Sequence, residues 1–126
     1  MTENELSKII VDVAFQIHYE LGPGLFESVY HNIMEHEIRQ AGLFIEKQKP
    51  IPLKWKDLKF KRDAFKADLL VENKVIIEIK SIEKLAPVHF KQVTTYLKLA
   101  DIKLGLLINF NEVLIKDGIH RILNKL

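Results

Sequence analysis

Two carboxylates and an ammonium, Asp68, Glu78 and Lys80, fall in the stretch ADLLVENKVIIEIK at a spacing that can do chemistry. Glu72-Asn73-Lys74 reads as a turn between two strand-like runs. Pairing those runs symmetrically about Asn73 sets Asp68 opposite Glu78, each five residues from the centre. Leu69 then meets Ile77, and Leu70 meets Ile76. Opposed residues of a hairpin share a face, and faces alternate along each strand. Ala67, Leu69, Val71, Val75, Ile77 and Ile79 make one apolar face, and Asp68, Glu78 and Lys80 share the other with Leu70 and Ile76. Opposed carboxylates repel, by up to about 1 kcal/mol at an ordinary site and more when desolvated. A hard divalent cation such as Mg²⁺ removes the conflict, taking oxygen ligands at roughly 2.0–2.1 Å and keeping several waters. One of those waters, deprotonated, can attack a phosphodiester phosphorus. Lys80, on the same side as Glu78, can orient that water or offset charge on the phosphate. The alternative for the same residues is a surface salt bridge between Lys80 and one of the acids.

Two further groupings lie outside the hairpin. Glu27 has Tyr30 and His31 at i+3 and i+4, so the three share a face of any helix there. On their own they read equally as an acid at a helix N-terminus with a core tyrosine. His89, Gln92 and Tyr96 recur at i, i+3 and i+7, and on their own fit a polar seam of a helix against a sheet.

The elements that must position these residues follow from periodicity. Apolar residues at Leu6, Ile9, Ile10, Val13, Ile17 and Leu21 predict a helix over about 2–20 with one buried face, capped by Thr2 or Asn4. Gly22-Pro23-Gly24 breaks it. A second helix over about 26–41 turns Val29, Ile33, Met34 and Ile38 inward and ends at Gly42. Ile51, Leu53 and Trp55 alternate with polar or proline residues as a strand does. Asp57-Leu58 reads as a turn, after which Lys59–Arg62 and Phe65–Val71 have strand character. Val75–Ile79 is a dense β-branched strand. Pro87 opens a third helix over about 87–100. Residues 105–110 form a short apolar strand, with a last one near 120–123. The order ααβββαββ predicts an α/β fold, a mixed β-sheet flanked by α-helices.

The bulk numbers frame that fold. With 126 residues, 48% of them hydrophobic, the chain is expected to form a single globular domain over 1–126. It contains no cysteine, which removes disulfides, thiolate zinc sites and cysteine nucleophiles, and suits a cytoplasmic location. No signal peptide, membrane span or lipidation motif is expected. The net charge of +2 hides an asymmetry. Residues 1–42 hold seven acids and two bases, whereas residues 43–66 hold eight bases (Lys47, Lys49, Lys54, Lys56, Lys59, Lys61, Arg62 and Lys66) and three acids. Such a stretch can meet phosphates, or its lysines can guard a sheet edge. Trp55 or Phe60 can stack on an exposed base; the alternative for Trp55 is a place in the core.

Taken together the motifs resemble a known family. Gly24-Leu25-Phe26-Glu27-Ser28-Val29-Tyr30 spells G-x-x-E-x-x-Y. Asp68, Glu78-x-Lys80, Gln92-x-x-x-Tyr96 and Gly105–Phe110 follow in order. From about Glu5 to Ile122 the chain resembles the GxxExxY family of small bacterial and archaeal proteins, within the PD-(D/E)XK nuclease superfamily. The resemblance implies a restriction-endonuclease-like core and Mg²⁺ (or Mn²⁺) as cofactor. By position it implies Glu27 as the helix acid, Asp68 and Glu78 as the metal pair with Glu27 beside them, and Lys80 as the catalytic lysine. It implies Gln92 and Tyr96, with Tyr30, as residues supporting the site and substrate. Ala67 stands where the superfamily's name has proline.

Three functions are therefore carried forward. The first is a metal-dependent nuclease hydrolysing phosphodiester bonds of DNA by Mg²⁺-activated water. The second is a catalytically silent nucleic-acid-binding module. The third is a protein-interaction subunit, a homodimer among its forms. A C₂ dimer would let a small nuclease span a duplex.

Overall fold

The computed structural model follows the backbone of the whole chain and describes the side chains of residues 1–60 and 65–126. Helix α1 (Glu3–Leu21) opens on a capping box: Thr2 Oγ1 accepts from the Glu5 N–H at 3.2 Å, and Glu5 Oε1 accepts from the Thr2 N–H at 3.0 Å. Thr2 is thus the cap rather than Asn4, and two otherwise orphaned donors are satisfied. Helix α2 (Glu27–Gln40) follows. Its buried stripe is Tyr30, Met34 and Ile38, with Val29 exposed, so the inward face is one position round from the expected one.

The chain then forms β1 (Ile45–Trp55), β2 (Leu58–Val71), β3 (Val75–Lys80), helix α3 (Pro87–Ala100), β4 (Leu104–Asn109), a short 3₁₀ turn (Ile115–Asp117) and β5 (Ile119–Leu123). The order ααβββαββ holds. The main difference is β1, which starts six residues before Ile51: the run Lys47–Lys49 has no apolar alternation for periodicity to detect, yet Lys47 and Lys49 pair with Leu69 and Ala67 of β2. The β1–β2 turn falls at Lys56-Asp57, with Lys56 at positive φ, and Leu58 belongs to β2.

The five strands lie in the order β1-β2-β3-β4-β5, antiparallel except for the parallel pair β3–β4, which α3 connects. The sheet is therefore mixed, with helices on both faces. On one face α1 and α2 cover Leu69, Val71, Val75, Ile77, Ile79, Leu104, Leu106 and Ile108. On the other, α3 covers Leu70, Ile76 and Leu107. Gly105 lets α3 approach: a Cβ there would lie 2.7 Å from Val93 Cγ1. No helix among the described residues is long and apolar enough to cross a membrane.

One expectation about faces fails, and it bears on the site. Ala67 packs under α3 with Ile51, while Leu69 packs under α1 and α2 with Ile45. Residues two apart have changed sides. Gln48 of β1 lies at the same point, between the pairs Lys47↔Leu69 and Lys49↔Ala67, and has a φ of 48°. A left-handed residue within a strand rotates the following side chains and increases the local twist. The break coincides with Asp68.

Candidate active site

The β2–β3 hairpin has the register its sequence implies: Leu69↔Ile77, Leu70↔Ile76 and Val71↔Val75. Glu72 and Asn73 both take positive φ in the turn. Backbone pairing stops after Leu69↔Ile77, and beyond that point side chains take over. Asp68 Oδ2 accepts from the Ile79 N–H at 2.9 Å, and Glu78 Oε1 accepts from the Asp68 N–H at 3.3 Å. The Lys80 carbonyl, by contrast, accepts from the Phe110 N–H of the segment after β4. The odd residues of β3 therefore look toward β2, where Asp68 supplies the acceptor that a paired strand would have supplied. Its carboxylate sits in the gap where the strands separate, instead of standing off one face.

Glu78 is only 7% exposed. Burial, then the neighbouring Asp68 carboxylate, pushes its pKa up to about 9, with Lys80 pulling weakly the other way. At neutral pH the isolated site therefore favours a proton shared within the Asp68–Glu78 pair, because burying a second charge beside the first is costly without a compensating cation. Tyr96 of α3 feels the same pair: its phenol is raised by burial and then by Glu78 and Asp68. Its ring stacks on Phe65 with centroids 3.7 Å apart.

The GxxExxY segment works as a brace. Gly24 takes φ 98°, a conformation side chains rarely adopt. Tyr30 is fully buried and stacks on Phe110 with centroids 4.5 Å apart. Its hydroxyl donates to the Gly22 carbonyl at 2.6 Å and accepts from the Leu25 N–H at 3.2 Å. Ser81, directly after Lys80, donates to the Leu25 carbonyl at 2.6 Å. The turn before α2 is thereby fastened to the end of β3, which fixes where Glu27 begins its helix. Tyr30 thus supports the site from within the core.

Glu27, exposed at the first turn of α2, lines a cavity of about 320 Å³ together with Asp68. The same cavity has Ser28, His31, Asn32, Lys47 and Gln48 in its wall. His31 Nε2 donates to the Asp68 carbonyl at 3.0 Å. Among the described residues, however, no three His, Cys, Asp or Glu side chains converge into a metal-holding group. Asp68 and Glu78 come together; Glu27 shares a cavity with Asp68, in whose lining Glu78 does not appear, and joins no triad. Lys80 is half-buried and makes no ion pair among the described residues, so the surface salt bridge considered from sequence is not formed. Of the expected polar seam on α3, His89 Nδ1 instead caps the helix by accepting from the Ala86 N–H at 2.9 Å, and Gln92 is exposed.

Sequence reasoning passed over Asn109 as a contributor, and it named His31 only as a helix-face neighbour of Glu27 and Lys47 only as part of the basic stretch. Asn109 is fully buried; its Oδ1 accepts from the Ile82 N–H at 3.1 Å and its Nδ2 donates to the Ile82 carbonyl at 2.9 Å, clamping the segment after Lys80. His31 and Lys47 reach the cleft from elements far apart in the chain. For Asn109 the signal was the oddity of an asparagine in the apolar run LGLLIN.

The donor chemistry suits a hard divalent cation. Asp68 and Glu78 offer oxygen ligands, each keeps one carboxylate oxygen outside the hydrogen bonds above, and the nearby lysine does not neutralise them. The PD-(D/E)XK nuclease superfamily model matches residues 4–122. No curated protein and no solved structure gives a match.

Proposed function

Since the chain belongs to the PD-(D/E)XK nuclease superfamily, we propose that it is a metal-dependent nuclease of the GxxExxY type, hydrolysing phosphodiester bonds of DNA. Asp68 and Glu78 would hold Mg²⁺ or Mn²⁺, with Glu27 as the third carboxylate of the cleft. The bound ion supplies positive charge that acidifies water and neutralises phosphate oxygens. Lys80, whose ammonium is not committed to an ion pair among the described residues, donates hydrogen bonds to the attacking water or the phosphate. Tyr96, with its pKa raised, keeps its proton and can donate to an oxygen in the cleft. His31 holds the backbone of Asp68 in place. A reducing cytoplasm suits the cysteine-free chain, and a homodimer would bring two such clefts to two strands.

The observation that carries this reading is the buried Glu78 beside Asp68, a charge conflict that no ion pair among the described residues offsets. Isothermal titration with Mg²⁺ or Mn²⁺, on wild type and D68N, tests it. Binding by wild type and its loss in D68N are expected, together with cleavage of DNA that K80A reduces by orders of magnitude. Absence of metal binding with DNA present would sink the reading. One observation favours the second reading, binding without turnover: Glu27 does not complete a three-carboxylate set. Metal binding by D68-intact protein without any cleavage would select it.

A further inference from the structure

The β1–β2 hairpin runs well past the rest of the sheet. Only residues 69–71 of β2 pair with β3, whereas β1 and β2 pair from Ile45↔Val71 out to Trp55↔Leu58. The far half is an arm, and it begins on the strand that carries Asp68. Its tip exposes apolar side chains: Trp55 is 64% exposed, Leu58 55% and Phe60 48%. Lys56 Nζ lies 5.6 Å from the centre of the Trp55 ring. Lysines directly oppose one another at Lys54↔Lys59, a pairing that destabilises a hairpin by itself. Lys98 of α3 joins Lys54 in the wall of one surface pocket, with Pro52 and Leu99. None of these lysines is ion-paired among the described residues. Lys61 and Arg62 lie outside the described side chains.

An exposed indole and uncompensated lysines on one arm have a common ligand. We propose that this arm binds single-stranded nucleic acid, Lys54, Lys59 and Lys98 taking backbone phosphates and Trp55 stacking on an unpaired base. Side chains alternate across a strand, so Lys54 and Lys59 lie on one face of the ribbon and Trp55 and Leu58 on the other. A flexible strand can pass over the tip and present phosphate to one face and base to the other. A duplex cannot, because its base faces are already stacked inside it. The inference deepens the nuclease reading by naming the form of substrate, and the arm leads that strand toward Asp68.

Trp55 is the chain's single tryptophan and reports on its own contact. The full chain is titrated in EDTA, at low salt, with a 16-nucleotide oligo(dT) and with a blunt 16-base-pair duplex, following tryptophan emission and oligonucleotide anisotropy. Oligo(dT) should quench Trp55 and bind at least about 10-fold more tightly than the duplex. W55A should lose about 10-fold in affinity for oligo(dT), one stacked base, while W55F keeps most of it. Relative to wild type, the slope of log affinity on log salt should shrink by roughly 0.7 for each of Lys54 and Lys59 changed to alanine. Binding without quenching, equal or tighter binding of the duplex, or no binding of oligo(dT) would each overturn the proposal. EDTA separates it from catalysis: quenching without later cleavage in Mg²⁺ would fail the nuclease reading alone, and cleavage without quenching would fail this one alone.

Discussion

Replacing Asp68 in two ways separates its structural from its chemical role. In D68A the Ile79 N–H loses its acceptor at 2.9 Å, and Ile79 is fully buried. An orphaned buried donor costs about 1–3 kcal/mol. At this chain length 1 kcal/mol corresponds to roughly 3–5 °C, so the melting temperature should fall by about 3–15 °C. Relief of repulsion offsets little of that, because the raised pKa of Glu78 keeps the metal-free pair from carrying two full charges at neutral pH. D68N keeps an oxygen for the Ile79 N–H and removes only the charge, so it should melt at or slightly above wild type. Differential scanning fluorimetry at pH 7.5 in EDTA should therefore rank D68N at or above wild type, with D68A well below. Adding Mg²⁺ should raise wild type alone, since binding to the folded state stabilises by mass action. If D68N melts with D68A, or D68A melts with wild type, the bridging role assigned to this carboxylate is wrong.

Other expectations follow from the same geometry. Glu78 has a folded-state pKa of about 9, above its ordinary 4.5, so the stability it contributes is complete below about pH 4.5 and is lost as pH rises toward 9. Metal-free protein should melt at progressively lower temperature from pH 5 to 9, and E78Q should flatten that slope; parallel slopes would refute the assignment. Mg²⁺ binding at pH 7.5 should release a proton, seen as a titration heat that changes with the ionisation enthalpy of the buffer. Y30F leaves the Gly22 carbonyl and Leu25 N–H without the hydroxyl they share; a loss of about 1–3 kcal/mol is expected by urea unfolding. Gly105→Ala would press a methyl against buried Val93 and should cost about 1–3 kcal/mol in the same assay.

Local pattern alone determined a good deal here. The capping box, the apolar spacing of α1, Pro87 at the start of α3 and the turn centred on Asn73 are encoded within a few residues of where they act. The hairpin register, and with it the meeting of Asp68 and Glu78, followed because a period-two pattern about a short turn admits one alignment that buries both apolar faces. The order of motifs was equally legible, and so was the superfamily. Tertiary structure decided the rest. The change of face between Leu69 and Ala67, which coincides with the positive φ of Gln48 and with the Asp68 bridge to β3, is announced by nothing in the polar run Lys47–Lys49. The raised pKa of Glu78 depends on how deeply the surrounding elements bury it and on Asp68 beside it. His31 and Lys47 enter the cleft, and Trp55 stays out of the core, because of where distant elements end in space. Periodicity reports which way a residue faces on its own element; it carries no information about what another element places opposite.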